Sequence, residues 1–141
     1  MKVRKFRDED LADIFEIYLS NRELAAFASK PVTDIDSFKE LLLDEEITLC
    51  EVQGTIAGFI SVYPQQSFVH HLYVHADFQR RGIGRTLVDS IRNKYEKPLS
   101  LKCECCNTEA LSFYRKMGWK FFNSGSENDG TEYILLTLNF D

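Results

Sequence analysis

The sequence predicts an α/β (α+β) fold: one mixed sheet with helices packed against it, spanning residues 1–141 as a single domain. Three observations lead there. Apolar residues spaced by three and four alternate with short β-branched and aromatic runs, giving the order βααβββαβαββ. The length of 141 residues suits one core that buries roughly two-thirds of the surface of the unfolded chain. The composition, 44% hydrophobic and 28% charged, is that of a globular protein.

Residues 2–6 (KVRKF) alternate polar and apolar and predict a first, edge-type strand. Asp8 offers an N-cap, with Glu9 and Asp10 in the first turn and Leu11, Ile14, Phe15, Tyr18 and Leu19 as the apolar stripe of a first helix. Residues 21–32 carry less pattern and either extend that helix or form a loop, and Pro31 breaks what precedes it. Thr33-x-x-Asp36 resembles a capping box ahead of a second helix with the stripe Ile35, Phe38, Leu41 and Leu42. Residues 47–52 and 55–63 flank Gln53-Gly54 and predict a β-hairpin. Gly58 inside its second strand marks close approach by another element. After the turn at Pro64-Gln65-Gln66, a strand begins near Phe68. Residues 99–105 predict a further strand. Asn107 opens a helix with Ala110, Leu111, Tyr114 and Met117 on one face, and Gly118 closes it. A short strand over Trp119–Phe122, a polar turn over 124–130 and a last strand over 133–138 complete the order.

The chain is organised around His70–Tyr95, HHLYVHADFQRRGIGRTLVDSIRNKY. Leu72, Tyr73 and Val74 are β-prone, whereas Ile83, Leu87, Val88, Ile91 and Tyr95 recur at helical spacing. Between them lies Gln79-Arg80-Arg81-Gly82-Ile83-Gly84. Its glycines let successive backbone N–H groups point into one concavity at the unpaired donor end of a helix. That end carries about half a positive charge, to which Arg80, Arg81 and Arg85 add theirs. The chemistry is that of an anion site suited to a pyrophosphate. Position 87 is Leu, so the dinucleotide fingerprint G-x-G-x-x-G is incomplete, and G-x-x-x-x-G-K-[ST] is absent.

What fits is Q-x-x-G-x-G after a strand reading L-Y-V and before a helix. This resembles the acetyl-CoA-binding motif of the GNAT superfamily, the acyl-CoA-dependent N-acyltransferases. A second segment agrees: Asn107-x-x-Ala110-x-x-Phe113-Tyr114-x-x-x-Gly118-Trp119 resembles the family's N-x-x-A-x-x-F-Y-x-x-x-G-F signature, with Trp as the last aromatic. The resemblance spans nearly the whole chain and implies a mostly antiparallel sheet flanked by helices. One departure is Ala76, where the family often has Pro. The resemblance implies that Leu72, Tyr73, Val74, Gln79, Arg80, Arg81, Gly82, Ile83, Gly84 and Arg85 bind acetyl-CoA. It extends the site to Asn107 and Phe113, with no metal, and Lys116 is a candidate to reach the coenzyme A phosphates. It further implies that Tyr114 faces the thioester sulfur and that an oxyanion donor is the N–H of Tyr73 or Val74.

The implied reaction is attack of an amine on the acetyl thioester. An alkylamine of pKa near ~10.4 is almost wholly protonated at neutral pH, so a base or a water chain must take its proton. His70 and His71 lie on the strand ahead of the loop. Alternation puts His70, Leu72 and Val74 on one face, and His71, Tyr73 and His75 on the other. His70, counted back from Val74, matches the position where some arylalkylamine-acetylating relatives carry a base, and is preferred to His71. Tyr114 is the candidate acid for the leaving thiolate, acting as the C–S bond breaks or with a pKa lowered by nearby cations. Glu23, Asp34 and Glu51 are candidate acceptor-site acids.

The net charge of −5 argues against a nucleic-acid partner, including an aminoacyl-tRNA acceptor, and is compatible with a cationic amine. No apolar run approaches the ~20 residues of a membrane helix, and the N-terminus lacks the apolar core of a signal peptide. Cys50, Cys103, Cys105 and Cys106 fit neither a disulfide framework nor C-x-x-C zinc spacing, and predict buried, reduced thiols in a cytoplasmic protein. None sits beside a His in a pattern that would support a covalent acetyl-enzyme. Two functional classes follow: an N-acetyltransferase working by direct transfer in a ternary complex, and a non-catalytic acetyl-CoA sensor or interaction module. A homodimer is open at the level of the family alone.

Overall fold

The computed structural model describes residues 1–24 and 29–141, so part of the weakly patterned stretch 21–32 lies outside the described residues. Along the chain run β1 (Lys2–Lys5), α1 (Leu11–Leu24), α2 (Ile35–Leu41), β2 (Glu46–Val52), β3 (Thr55–Tyr63) and β4 (Phe68–Val74). Then follow α3 (Ile83–Ile91), β5 (Leu99–Glu104), α4 (Thr108–Lys116), β6 (Lys120–Ser126) and β7 (Glu132–Leu138). This is the element order the sequence predicts. The sheet reads β1-β2-β3-β4-β5-β7-β6 and is antiparallel except between β4 and β5.

Two apolar clusters hold the helices to the sheet. One joins Ile83, Leu87, Val88 and Ile91 of α3 to Ile60, Val62 and Val69, with Ala110, Leu111 and Tyr114 of α4 against it. The other joins Ile14, Ile17 and Tyr18 of α1 to Phe38 of α2 and to Leu49 and Phe59. The sheet thus has an α3/α4 side and an α1/α2 side. The β2–β3 hairpin turns at Gln53 and Gly54, both at positive φ (51° and 81°), the geometry that matches strand twist.

Several local expectations are corrected. Asp8 does not cap α1; Asp8–Asp10 form a 3-10 turn in which Asp10 Oδ2 accepts the Arg7 N–H at 2.7 Å and Arg4 Nη1 at 2.8 Å. The cap of α2 is Asp34, one residue beyond Thr33, and its carboxylate accepts the Ser37 N–H at 2.8 Å. Only Phe38 and Leu42 of the predicted α2 stripe are buried; Ile35 and Leu41 are exposed because the helix is short and touches the core through one turn. Pairing with β7 extends β6 to Ser126, through the first half of the predicted turn. The cysteines are free as expected, yet only Cys50 and Cys103 are buried, and Cys106 is exposed in the turn after β5.

Candidate functional site

Strands β4 and β5 pair in parallel only at Phe68↔Ser100 and Val69↔Leu101. Beyond these pairs no ladder pair joins residues 70–74 of β4 to 102–104 of β5 among the described residues, and this unpaired stretch between the strands forms a wedge. Ladder parity shows what β4 presents to it. The His75 N–H donates to Ala57 O at 2.7 Å, so residues 75 and 73 face β3 and residues 74 and 72 face away. Consistent with this, the Val74 carbonyl accepts from Asn21 Nδ2 at 2.9 Å and Gln79 Nε2 at 3.3 Å instead of from β3. The N–H groups directed into the wedge are therefore those of Leu72 and Val74. Of the two predicted oxyanion donors, the N–H of Tyr73 points to β3.

Helix α3 starts beside the same strand. Gly82 caps it at φ 80°, in the left-handed region that suits glycine, and a Cβ there would meet nothing within 4 Å. The Thr86 N–H and Oγ1 both donate to Gly82 O, at 3.0 and 2.8 Å. The N–H groups of Ile83, Gly84 and Arg85 precede the first intrahelical bond and have no hydrogen-bond partner among the described residues, as at any helix start. Arg80, Arg81 and Arg85 are exposed around them, and the Arg81 guanidinium lies 5.2 Å from the Phe78 ring centre. Gln79, in contrast, turns its amide back onto β4. Gly84 is needed because Phe113 of α4 lies on it: a Cβ would come within 2.9 Å of the ring's Cζ. Asn107 is buried and caps α4, its Oδ1 accepting from the Ala110 N–H at 3.3 Å. Lys116 is exposed at the end of α4.

Tyr114 packs edge-on against Phe113 and Trp119, with ring centres 5.3 and 5.5 Å away. Burial pushes its phenol well above the ordinary range, and the potential thiolate of Cys103 and phenolate of Tyr73 push the same way. This corrects the expectation of a pKa lowered by cations: Tyr114 keeps its proton at neutral pH and is a weaker acid than a free phenol. Cys103 is likewise raised to about 12, first by burial and then by Glu104. Burial pushes Tyr73 up to about 12 as well.

The histidines separate at a β-bulge. Ser61 pairs with His71 and Val62 with Val69, leaving His70 without a cross-strand partner. His70 therefore does not share a face with Leu72 and Val74; Val69 joins them in the α3-side cluster. The ring of His70 stands on the α1/α2 side, 6.2 Å from that of His71, and its Nδ1 lies 2.7 Å from Glu45 Oε1. His71 is packed among Tyr18, Phe38, Phe59 and Tyr73, with Nδ1 2.8 Å from Ser61 Oγ. Burial, and then the neighbouring His70 and Arg22 charges, lower its pKa to about 4, so it is neutral at working pH.

The three candidate acceptor acids lie elsewhere. Asp34 caps α2, Glu51 bonds to Arg4 Nε at 2.8 Å, and Glu23 is exposed. The acid at the open end of the wedge is Glu104, on the last residue of β5. It accepts the Ser29 N–H at 3.2 Å and the Ser29 hydroxyl, and lies 4.0 Å from Arg22 Nη1. Asn21, Glu45 and Glu104 escape a reading of the sequence because no local pattern links them to β4. Among the described residues no cluster of three or more His, Cys, Asp and Glu side chains could hold a metal ion, and no helix is long and apolar enough to cross a membrane.

The model of the acetyltransferase (GNAT) domain matches residues 11–140. The fold is similar to that of ribosomal-protein-alanine N-acetyltransferase from Brucella melitensis (18% identity, TM-score 0.76, covering 99% of this chain and 100% of that one). It is similar also to yncA from Salmonella typhimurium, whose structure holds its cofactor acetyl-CoA (21%, 0.75, 100% and 94%). A third similar structure is an N-acetyltransferase from Staphylococcus aureus Mu50 (22%, 0.75, 99% and 98%). No curated protein sequence matches.

Proposed function

The chain belongs to the GNAT acetyltransferase family, and from that premise we propose that it moves an acetyl group from acetyl-CoA to a primary amine, directly and within this one domain. The observation that carries the reading is the β4–β5 wedge opening beside the N-terminus of α3. An anion cradle and strand N–H groups without a partner among the described residues, lying along one path, suit an extended acyl-CoA.

The open N–H groups of Ile83, Gly84 and Arg85, with the side chains of Arg80, Arg81 and Arg85, would hold the pyrophosphate. The N–H groups of Leu72 and Val74 would bind the pantetheine arm and the acyl carbonyl oxygen, and donate more strongly as negative charge develops on that oxygen. Acetyl-CoA supplies the acyl group as a thioester; an N–C bond forms, the C–S bond breaks, coenzyme A leaves as the thiol and one proton is released overall. His70, on the α1/α2 side, takes the proton that makes the amine nucleophilic and passes it to solvent. Tyr114, on the α3/α4 side, donates a proton to the departing sulfur and recovers one from the nitrogen. The acceptor thus approaches from the α1/α2 side.

The test is a thermal melt with and without acetyl-CoA, beside the double variant Arg81→Glu, Gly82→Glu. Ligand at about 100 times its Kd adds ~2.7 kcal/mol, or several degrees for a domain of this size. The wild type should show that shift and the double variant should lose it. A well-folded wild type that gains nothing refutes the proposal.

A further inference from the structure

Glu45 lies in the turn between α2 and β2 and takes no part in the reading above. Its side chain is 1% exposed, yet among the described residues its carboxylate has one partner, the Nδ1 of His70 at 2.7 Å. Taking a carboxylate out of water is costly unless its partner compensates, and here that partner is a ring whose side chain is 42% exposed. The β-bulge produces this arrangement: without it His70 would alternate onto the α3 face, away from Glu45.

We propose that Glu45 is a positioning residue for the base: its carboxylate holds the His70 proton on Nδ1, so that the lone pair of Nε2 is the one offered to the acceptor amine. The inference rests on the assignment of His70 as the base. An ionised carboxylate can only accept, so a 2.7 Å contact to Nδ1 requires a proton on that nitrogen. A neutral imidazole then has its acceptor at Nε2. The same carboxylate lies against the ring that becomes positive when Nε2 takes a proton. The other titratable groups facing this pair are Tyr63 of β3, whose ring centre lies 6.4 Å from that of His70, and His71, which is neutral. On the far side Tyr95, hydrogen-bonded to Glu46, is close enough to feel the Glu45 charge. None of these bonds to Glu45 or to His70 Nδ1. Phe68, 4.9 Å from the His70 ring centre, fixes the ring sideways without offering a proton.

The experiment is imidazole ¹⁵N NMR of the full chain across pH, for the wild type, Glu45→Gln, Glu45→Ala and His70→Gln, the last assigning the signal. The same proteins are assayed for thiol release from acetyl-CoA with tyramine, spermidine and an alanine-started peptide as probes. The wild type should show His70 as the Nδ1–H tautomer. Glu45→Ala removes the acceptor. Glu45→Gln can turn its NH₂ toward Nδ1 and select the opposite tautomer. Both should raise the Nε2–H form, lower kcat about ten-fold with KM for acetyl-CoA unchanged, and move the acid limb of kcat/KM to lower pH. A wild-type His70 carrying its proton on Nε2 overturns the inference. So do variants that lose melting temperature but keep the wild-type tautomer and acid limb, the mark of a merely structural Glu45. Full turnover in His70→Gln removes the base assignment, and the catalytic purpose of Glu45 with it. Turnover lost in His70→Gln but intact in Glu45→Gln overturns the inference alone.

Discussion

Gly58→Ala probes the contact that seats β4 and the start of α3, two elements of the proposed site. A Cβ at residue 58 would lie 2.8 Å from the Tyr73 carbonyl oxygen, 3.1 Å from Ile83 Cγ2 and 3.4 Å from Leu87 Cδ1. The side chains can yield a little, but the oxygen belongs to the backbone of a central strand. An unstrained carbon–oxygen contact needs about 3.3 Å, so β4 and β3 would have to move apart by about 0.5 Å. Overpacking of this kind costs about 1–3 kcal/mol, and the gain of Ala over Gly in a strand returns about 0.5–1. Mid-range values leave a net loss of about 1 kcal/mol, and a cost at the upper end about 2. With an unfolding entropy of ~2.1 cal/mol/K per residue, a chain of 141 residues should then melt about 3–7 °C lower. The displaced atoms are those of Tyr73 and of the first residue of α3, so the stabilisation by acetyl-CoA should shrink as well. Melts of wild type and variant, each with and without acetyl-CoA, read both effects. A variant that melts at or above the wild-type temperature with an undiminished ligand shift would refute the reasoning.

Tyr114→Phe should lower kcat ten-fold or more and leave acetyl-CoA binding by calorimetry nearly unchanged; equal turnover removes Tyr114 from the mechanism. Because burial raises its pKa, Tyr114 should not lose its proton on the alkaline limb near pH 10, where an ordinary phenol would. His71 gives a stability prediction. Its folded pKa, about 4, lies below the ordinary value of 6.5, so the neutral ring stabilises the fold. That stability is complete above pH 6.5 and is lost as pH falls from 6.5 toward 4, up to about 3 kcal/mol in all. The melting temperature should therefore decline between pH 6.5 and 5, before most carboxylates titrate, and His71→Asn should flatten that decline. An unchanged slope in the variant would show that His71 is not its source.

What the sequence discloses and what it withholds divide along a physical line. Elements defined by their own periodicity are legible: the α3 stripe Ile83, Leu87, Val88 and Ile91 is buried as read, and Gln53-Gly54 makes the hairpin turn. The loop Gln79–Gly84 is legible because glycine spacing at a strand–helix junction is itself local geometry. Pairing between distant residues is not. The bulge that re-aims His70 depends on the register of β4 against β3, which period-two alternation assumes to be unbroken. For the same reason Glu45 reads as one more acid between a helix and a strand. The direction of the Tyr114 shift needs the packing of Trp119 and Phe113 around it, and a motif supplies the residue without its surroundings.

The ionisable groups around the wedge then order the proposed proton traffic. Tyr114 and Tyr73 both have pKa values raised by burial, so neither releases a proton readily at neutral pH. His71 is held neutral among aromatic rings, and a charge on it is disfavoured by the same desolvation. A proton leaving the amine through these groups would have to create a charge in a dry place, at several kcal/mol. His70 differs in both respects that matter. It is partly open to water, and its inner nitrogen rests on a buried carboxylate that balances the positive charge. On the α3/α4 side a phenol made this weak an acid by burial passes a proton to sulfur only as it regains one from nitrogen; the α1/α2 side is open to take one outward. Those four environments favour the proposed division, in which one amine proton leaves outward through His70 and Tyr114 relays the other from nitrogen to sulfur without ionising.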